Sequence, residues 1–251
     1  MRSVYRDLRN CCGWISILPL ADLHIGSSDV DMTAIKNLVA SAVGDPNMYI
    51  VLNGDVIDAQ IYGGTGCAYG APAPGSQIQT TIELLKPLAD AKKILCIMDG
   101  NHEERVSKAA GISPAQAIAN GLGISDVYVE STALLFLDVG TVSYTAYVTH
   151  GSNSTCREVS SKINRLTQLS DIVDADLYIS AHSHLPAVFR GGFMRVDRDN
   201  HRAYKVEHLF VNAASALDYS RYAELQGYAP SSSVYPVITL SGSSKDMRVC
   251  A

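Results

Sequence analysis

No two of the six cysteines in this 251-residue chain form a Cys-x-x-Cys pair; Cys11, Cys12, Cys67, Cys96, Cys156 and Cys250 lie scattered. That spacing excludes a disulfide framework and reads as the reduced thiols of a cytoplasmic protein. Long apolar runs are missing too, since none approaches the roughly 20 residues that a membrane span needs. The opening "MRSVYRDLRNCCGWISILPLADLH" is basic and then briefly apolar. It runs straight into a polar motif without a small-residue cleavage site, so a secretory leader is not expected. Positive charge is not in excess. With a net charge of −5, bulk electrostatics points to no polyanionic partner, although a local basic groove stays open. Neither an internal repeat nor a domain linker is visible. A soluble cytoplasmic protein without a membrane partner is the expectation, with homo-oligomerisation left open.

What is present is an ordinary globular mixture, 47% apolar and 18% charged. Its length suffices for one large α/β domain, and a single domain over 1–251 is expected. Apolar runs recur, each ending in polar punctuation: "WISILPLADLH", "MYIVLNGD", "KILCIMDGNH", "SYTAYVTHG" and "ADLYISAHSH". Continuous runs of this length suit strands buried on both faces. Helical patterns lie between them. "DMTAIKNLVASAV" and "SQIQTTIELLKPLADA" have apolar residues at helical spacing, with Pro87 expected to kink or end the second. "SPAQAIANGLG" offers Ser113 as a cap, Pro114 at the first helical position and a glycine stop. "REVSSKINRLTQLSDIV" is amphipathic. The alternation predicts an α/β layered fold, followed after Pro186 by strands that would add a mostly antiparallel sheet. The Gly/Ala/Pro-rich stretch Gly63–Ser76 reads as a loop, either a surface excursion or a lid beside the preceding motif.

Every run named above ends in metal-ligand chemistry. Asp22 and His24 follow the first, Asp55 and Asp58 the second, Asn101 and His102 the third, His150 the fourth, and His182 and His184 the fifth. Taken singly, each tail has a bland alternative: a turn, a cap or plain surface. Five in order are a pattern, because ligands gather at the carboxyl ends of strands in layered α/β sheets. Imidazoles, carboxylates and one amide, with no thiolate, favour hard or borderline divalent ions in a catalytic site. Seven ligands exceed one tetrahedral zinc. They suit two ions about 3.5–4 Å apart that share a carboxylate, clamp a phosphate and activate a water near neutral pH.

In this order, "DLH", "GDVID", "GNHE", "HG" and "HSH" resemble the five signature blocks of the calcineurin-like metallophosphoesterases. The resemblance spans Asp22 to His184, with Ala181 where the family usually has glycine. It implies a four-layer αββα sandwich of two mixed sheets flanked by helices. It also implies a phosphoesterase acting on phosphodiesters, with nuclease or phosphomonoesterase activity on nucleotides or phosphoproteins, or an inert binding scaffold, as alternatives. Carried over by position, Asp22, His24, Asp55 and His184 hold the first metal. Asp55 bridges to the second, which Asn101, His150 and His182 complete. Manganese is the first choice of ion; iron, zinc, nickel and magnesium are alternatives. Asn101 and His102 face the substrate, and His102 protonates the leaving oxygen. Asp58 pairs with that histidine or else caps a helix. Arg105 reaches a substrate phosphate or pairs with a carboxylate. Glu103 and Glu104 are expected to buttress the helix start that follows. Ala59 stands where the phosphoprotein-phosphatase branch has arginine, which separates the chain from that branch. "THGSN…KINRLTQL…DADLYISAHSHLP" also resembles phage-borne, nuclease-like members. A nuclease needs a basic groove, for which Arg157, Lys162 and Arg165, or the cations from Arg190 to Lys205, are candidates.

Overall fold

The computed structural model describes residues 1–11, 13–61, 71–151, 159–219, 224, 227, 230, 232 and 234–250. The five apolar runs are all strands. Trp14–Leu20 (β2), Met48–Asn53 (β3) and Ile94–Met98 (β4) lie side by side and parallel, and β4 is buried at every position. Such strands are covered on both faces, which is why they read as unbroken apolar runs. Val142–Thr149 (β7) and Leu177–Ser180 (β8) belong to a second sheet, again paired in parallel.

Two strands were not legible in sequence. Arg2–Leu8 (β1) buries only Val4 and Leu8, and Arg2 and Arg6 interrupt that same face. It pairs in parallel with Thr132–Val139 (β6), the hairpin partner of β7. The segments after Pro186 do not form an added sheet of their own. Ala187–Asp197 (β9) and Arg202–Asn212 (β10) make a hairpin whose second strand joins β8 in parallel. Val237–Ser241 (β11) and Met247–Cys250 (β12) join β2 antiparallel. Strands β8 and β2 each had a free edge, and an edge with unpaired N–H and C=O groups recruits the next strand available. With Tyr128–Val129 (β5) beside β4, the result is two six-stranded mixed sheets, ordered β1-β6-β7-β8-β10-β9 and β12-β11-β2-β3-β4-β5.

Helices Met32–Gly44 (α1), Pro74–Asp90 (α2), Asn101–Ala110 (α3) and Pro114–Leu122 (α4) come from segments flanking β3, β4 and β5. Asp31 caps α1 by accepting from the N–H groups of Thr33 and Ala34. Ser113 caps α4 through Gln116 N, with Pro114 next and Gly123 left-handed at the end. Pro74, Gly75 and Ser76 belong to α2 and not to the preceding loop; residues 62–70 of that loop lie outside the described residues, so its lid reading does too. Pro87 does not end α2. It sits in the last turn, where its missing N–H forfeits one bond, and the buried Leu85, Leu88 and Ala89 hold that turn to the core.

One apolar cluster takes side chains from both sheets and from α1, α2 and α4, so the main core fills the space between the sheets and under those helices. A smaller cluster of Tyr147, Leu166, Tyr178 and Phe210 lies where Val159–Thr167 (α5) covers the other sheet. The layers are helix, sheet, sheet, helix. No helix among the described residues is long and apolar enough to cross a membrane. Cys11, Cys96 and Cys250 are free thiols; Cys12, Cys67 and Cys156 lie outside the described residues.

Candidate metal centre

The tails of β2, β3 and β4 in one sheet and of β7 and β8 in the other all emerge at their carboxyl ends, and there the two sheets deliver their polar residues to one place. Five of these residues leave their strands in the left-handed region: Asp22 (φ 49°), His24 (φ 47°), Asp55 (φ 50°), His182 (φ 67°) and His184 (φ 52°). Each such conformation costs about 1 kcal/mol or more for a residue with a Cβ. Aspartate and histidine tolerate it better than most, but five together require a compensating interaction.

Three groups of ligand atoms result, one of which, His24, Asp58 and His102, shares His24 with a neighbouring group. Asp22, His24 and His184 form the first of the other two; Asp55, His150 and His182 form the second. These two adjoin, since Asp22 Oδ2 accepts from the His182 backbone N–H at 2.9 Å. In the first group the Nε2 atoms of His24 and His184 face each other at 3.3 Å, and Asp22 Oδ1 is 3.7 Å from His184 Nε2. In the second, His150 Nδ1 donates to the Asn53 carbonyl at 2.9 Å, which turns Nε2 toward Asn101 Oδ1 at 2.9 Å and Asp55 Oδ2 at 3.3 Å. Donor atoms bound about 2.0–2.2 Å from one ion lie about 3–3.5 Å apart, so these spacings suit the edges of a coordination shell. Asp22 Oδ1 is also buried with no hydrogen-bond partner. Two imidazole nitrogens aimed at each other, an orphaned carboxylate oxygen and an all-N/O donor set fit one or two divalent ions.

For three of the four ligand imidazoles the electrostatics agrees with that fit; in the ion-free protein His150 is the exception. Burial pushes the pKa values of His24 and His184 down, and that of His182 down to about 4, so these imidazoles stay neutral, as metal ligands must. Burial raises Asp22 to about 7. Burial also disfavours charge on His150, but the Asp55 carboxylate outweighs it and holds that pKa up at about 9. For Asp55 itself, burial is overcome by His150, and the carboxyl stays far below its usual range.

His102 and Asp58 sit against these groups. The His102 N–H donates to Asp55 Oδ1 at 2.8 Å, and its ring Nδ1 donates to the Asp58 carbonyl at 2.7 Å. The Asp58 carboxylate stands between two rings, with Oδ1 3.5 Å from His102 Nδ1 and 3.7 Å from His24 Nδ1. Burial works against a charged His102, yet Asp58 and Asp55 together raise its pKa. Residues 58–61 are coil, so Asp58 starts no helix there. Arg105 pairs with no carboxylate among the described residues: its guanidinium donates to His102 Nε2 at 3.0 Å.

Several residues support these groups, and Glu103 buttresses the α3 start as expected. Glu103 is fully buried and accepts from the N–H groups of Gly100 (2.8 Å), Asp55 (3.0 Å) and Ile57 (2.9 Å), tying the β3 and β4 tails together. Glu104 instead makes an exposed pair with Lys108. Gly100 is needed for space and not for an unusual dihedral: a Cβ there would lie 2.2 Å from Asp55 Oδ1. Gly54 needs both, with φ +96° and His150 Nδ1 2.5 Å from the position of a Cβ. Beyond the ligand blocks, Ser215 donates to the Asp22 carbonyl, Asn212 holds Ser183 and Leu185, and Lys162 donates to Ser183 O. The only sequence signal for these was polar character in otherwise apolar runs.

Arg190, Arg195, Arg202 and Lys205 are paired with Glu207, Asp174, Asp197 and Glu207, respectively. Arg157 lies outside the described residues.

No curated protein matches the chain significantly. Among solved structures it is similar to a conserved uncharacterized protein from Streptococcus pneumoniae TIGR4, described as a predicted phosphoesterase, at 13% identity and TM-score 0.40, over 95% of this chain and 90% of that one. Others are Vps29 complexed with Zn2+ from Entamoeba histolytica (11%, 0.42, 94% and 97%) and a metallophosphoesterase from Sphaerobacter thermophilus (12%, 0.45, 94% and 87%). Likenesses this distant bear on no substrate. The family model described as Calcineurin-like phosphoesterase, by contrast, matches residues 15–186, which takes in every ligand block from Asp22 to His184. With two mixed sheets flanked by helices and the His/Asp groups at their shared edge, the chain belongs to the calcineurin-like metallophosphoesterase superfamily.

Proposed function

We propose that this protein hydrolyses phosphate esters, with phosphodiesters as the preferred class, at a dinuclear metal site. The observation that carries this reading is the pair of adjoining His/Asp groups with His102 packed against them. Asp22, His24 and His184 would hold one ion; Asn101, His150 and His182 would hold the other; Asp55 would serve both. Manganese is the proposed metal. When bound, the ions supply Lewis-acid polarisation of a phosphoryl oxygen and a water acidified toward neutral pH.

The chain's own residues supply the rest. The Asp58 carbonyl fixes the His102 proton at Nδ1 and leaves Nε2 to carry the proton for the leaving oxygen. The carboxylates of Asp58 and Asp55 favour the charged ring that a proton donor requires. Arg105, beside Nε2, would turn to the substrate's phosphoryl oxygens and free that nitrogen. The Asp58 carboxylate near His24 Nδ1 would orient a ligand imidazole, as outer carboxylates do around metal sites. None of the ligand blocks is degraded, which weighs against an inert scaffold. The paired cations of the hairpin lend nothing to a nuclease. Free thiols among the described cysteines support a cytoplasmic location.

The test is hydrolysis of bis(p-nitrophenyl) phosphate by manganese-loaded protein. Turnover in the wild type, lost in Asp55→Asn, is the expected result. A wild type without turnover on this ester or on p-nitrophenyl phosphate contradicts the reading.

A further inference from the structure

Beside the metal centre lies a cavity of about 490 Å³, a size that suits a small-molecule moiety. Asp58 forms part of its wall, so the cavity adjoins His102 on the side where Asp58 touches that ring. Its other polar lining comes from Ser27, Ser28, Asp29, Gln60 and Thr80. No lysine, arginine or histidine lines it among the described residues. Two of its acceptors are orphaned: Asp58 Oδ2 and Gln60 Oε1 are both buried without a hydrogen-bond partner, and Asp58 as a residue is only 5% exposed. Gln77 is also on the wall, but its amide is already spent, accepting from Ala59 N and donating to Pro72 O.

Buried acceptors without donors call for an occupant that brings donors. Two carboxylates with no cation on the wall repel an anion and attract an ammonium or a hydroxyl. We propose that this cavity seats the alcohol portion of the substrate, and that it selects a non-anionic, hydrogen-bond-donating group, a polyol hydroxyl or an ammonium, over one carrying a second phosphate or carboxylate. The assignment rests on the phosphoesterase reading and narrows it. A nucleic-acid strand, which brings a second phosphate, is disfavoured.

The two halves of this claim separate in a binding experiment. Manganese-loaded protein is titrated calorimetrically with inorganic phosphate, phosphoethanolamine and phosphoglycolate, the last two similar in size but opposite in distal charge. Phosphoethanolamine binds roughly tenfold or more tightly than phosphoglycolate if the wall acts as described. Asp29→Asn then shrinks that ratio by about threefold, and Asp29→Lys reverses the preference. Equal affinities, tighter phosphoglycolate, or a ratio indifferent to both variants overturns the cavity assignment while leaving the phosphoesterase reading intact. Failure of inorganic phosphate to bind overturns that reading, and the cavity assignment with it.

Discussion

His102 differs from the other four histidines of the centre in what holds it. Its Nε2 meets a guanidinium, which no other ring of the centre does among the described residues, while its Nδ1, like that of His150, donates to a backbone carbonyl. His102→Ala should therefore keep the metal content and lower turnover by about 10²–10⁴-fold. The loss should grow with the pKa of the leaving alcohol, measured across a series of aryl phosphodiesters. A uniform loss across the series would remove the proton-donor role. Glu103 acts on structure. Its truncation to alanine orphans three buried N–H groups, so Glu103→Ala should cost about 3 kcal/mol in urea unfolding; a cost under about 1 kcal/mol would mean water replaces the carboxylate. At this scale the sequence was informative about the His and Asp side chains that gather at the strand ends. It was much less so about those that hold them: Glu103 was legible as a support of the helix start but not as a tie to the β3 tail, and Asn212 and Ser215 are recognisable only once the strands are placed.

At the scale of elements, the carboxyl ends of five strands do the positioning. Their apolar bodies were legible because burial on both faces leaves no polar residue until the chain reaches the edge. Strand β1 was not, since arginines alternate with its two buried residues on the same face and leave no apolar run. The fate of the last four strands was hidden for another reason: local pattern reveals a hairpin but not which free edge it will extend. The α4 start is a case where local chemistry sufficed. Ser113 caps Gln116 N and donates to Asp99 Oδ2 at 2.6 Å, and Tyr128 donates to the same oxygen at 2.9 Å. Ser113→Ala should lower stability by about 1–2 kcal/mol without changing metal content. A variant of wild-type stability would show that Asp99 and Tyr128 hold that helix start alone.

Across the molecule, a single apolar cluster joins both sheets to three helices, and the metal centre closes one edge of that arrangement. We propose that the 251 residues form one folding unit. Calorimetry should then show one cooperative transition, and two separated transitions would argue for two units. Folding energy stored in five left-handed residues should be offset when ions bind. At manganese a hundredfold above its dissociation constant, the gain is about 2.7 kcal/mol, or about 5–10 °C in melting temperature for a chain of this size. Melting that is indifferent to manganese and to chelator would leave that strain unexplained.

Elemental analysis of the chain, purified and dialysed with manganese, tests the dinuclear arrangement most directly. Two ions per chain in the wild type, falling to one or fewer in Asp55→Asn, is the predicted outcome. A wild type that retains no ion would contradict it.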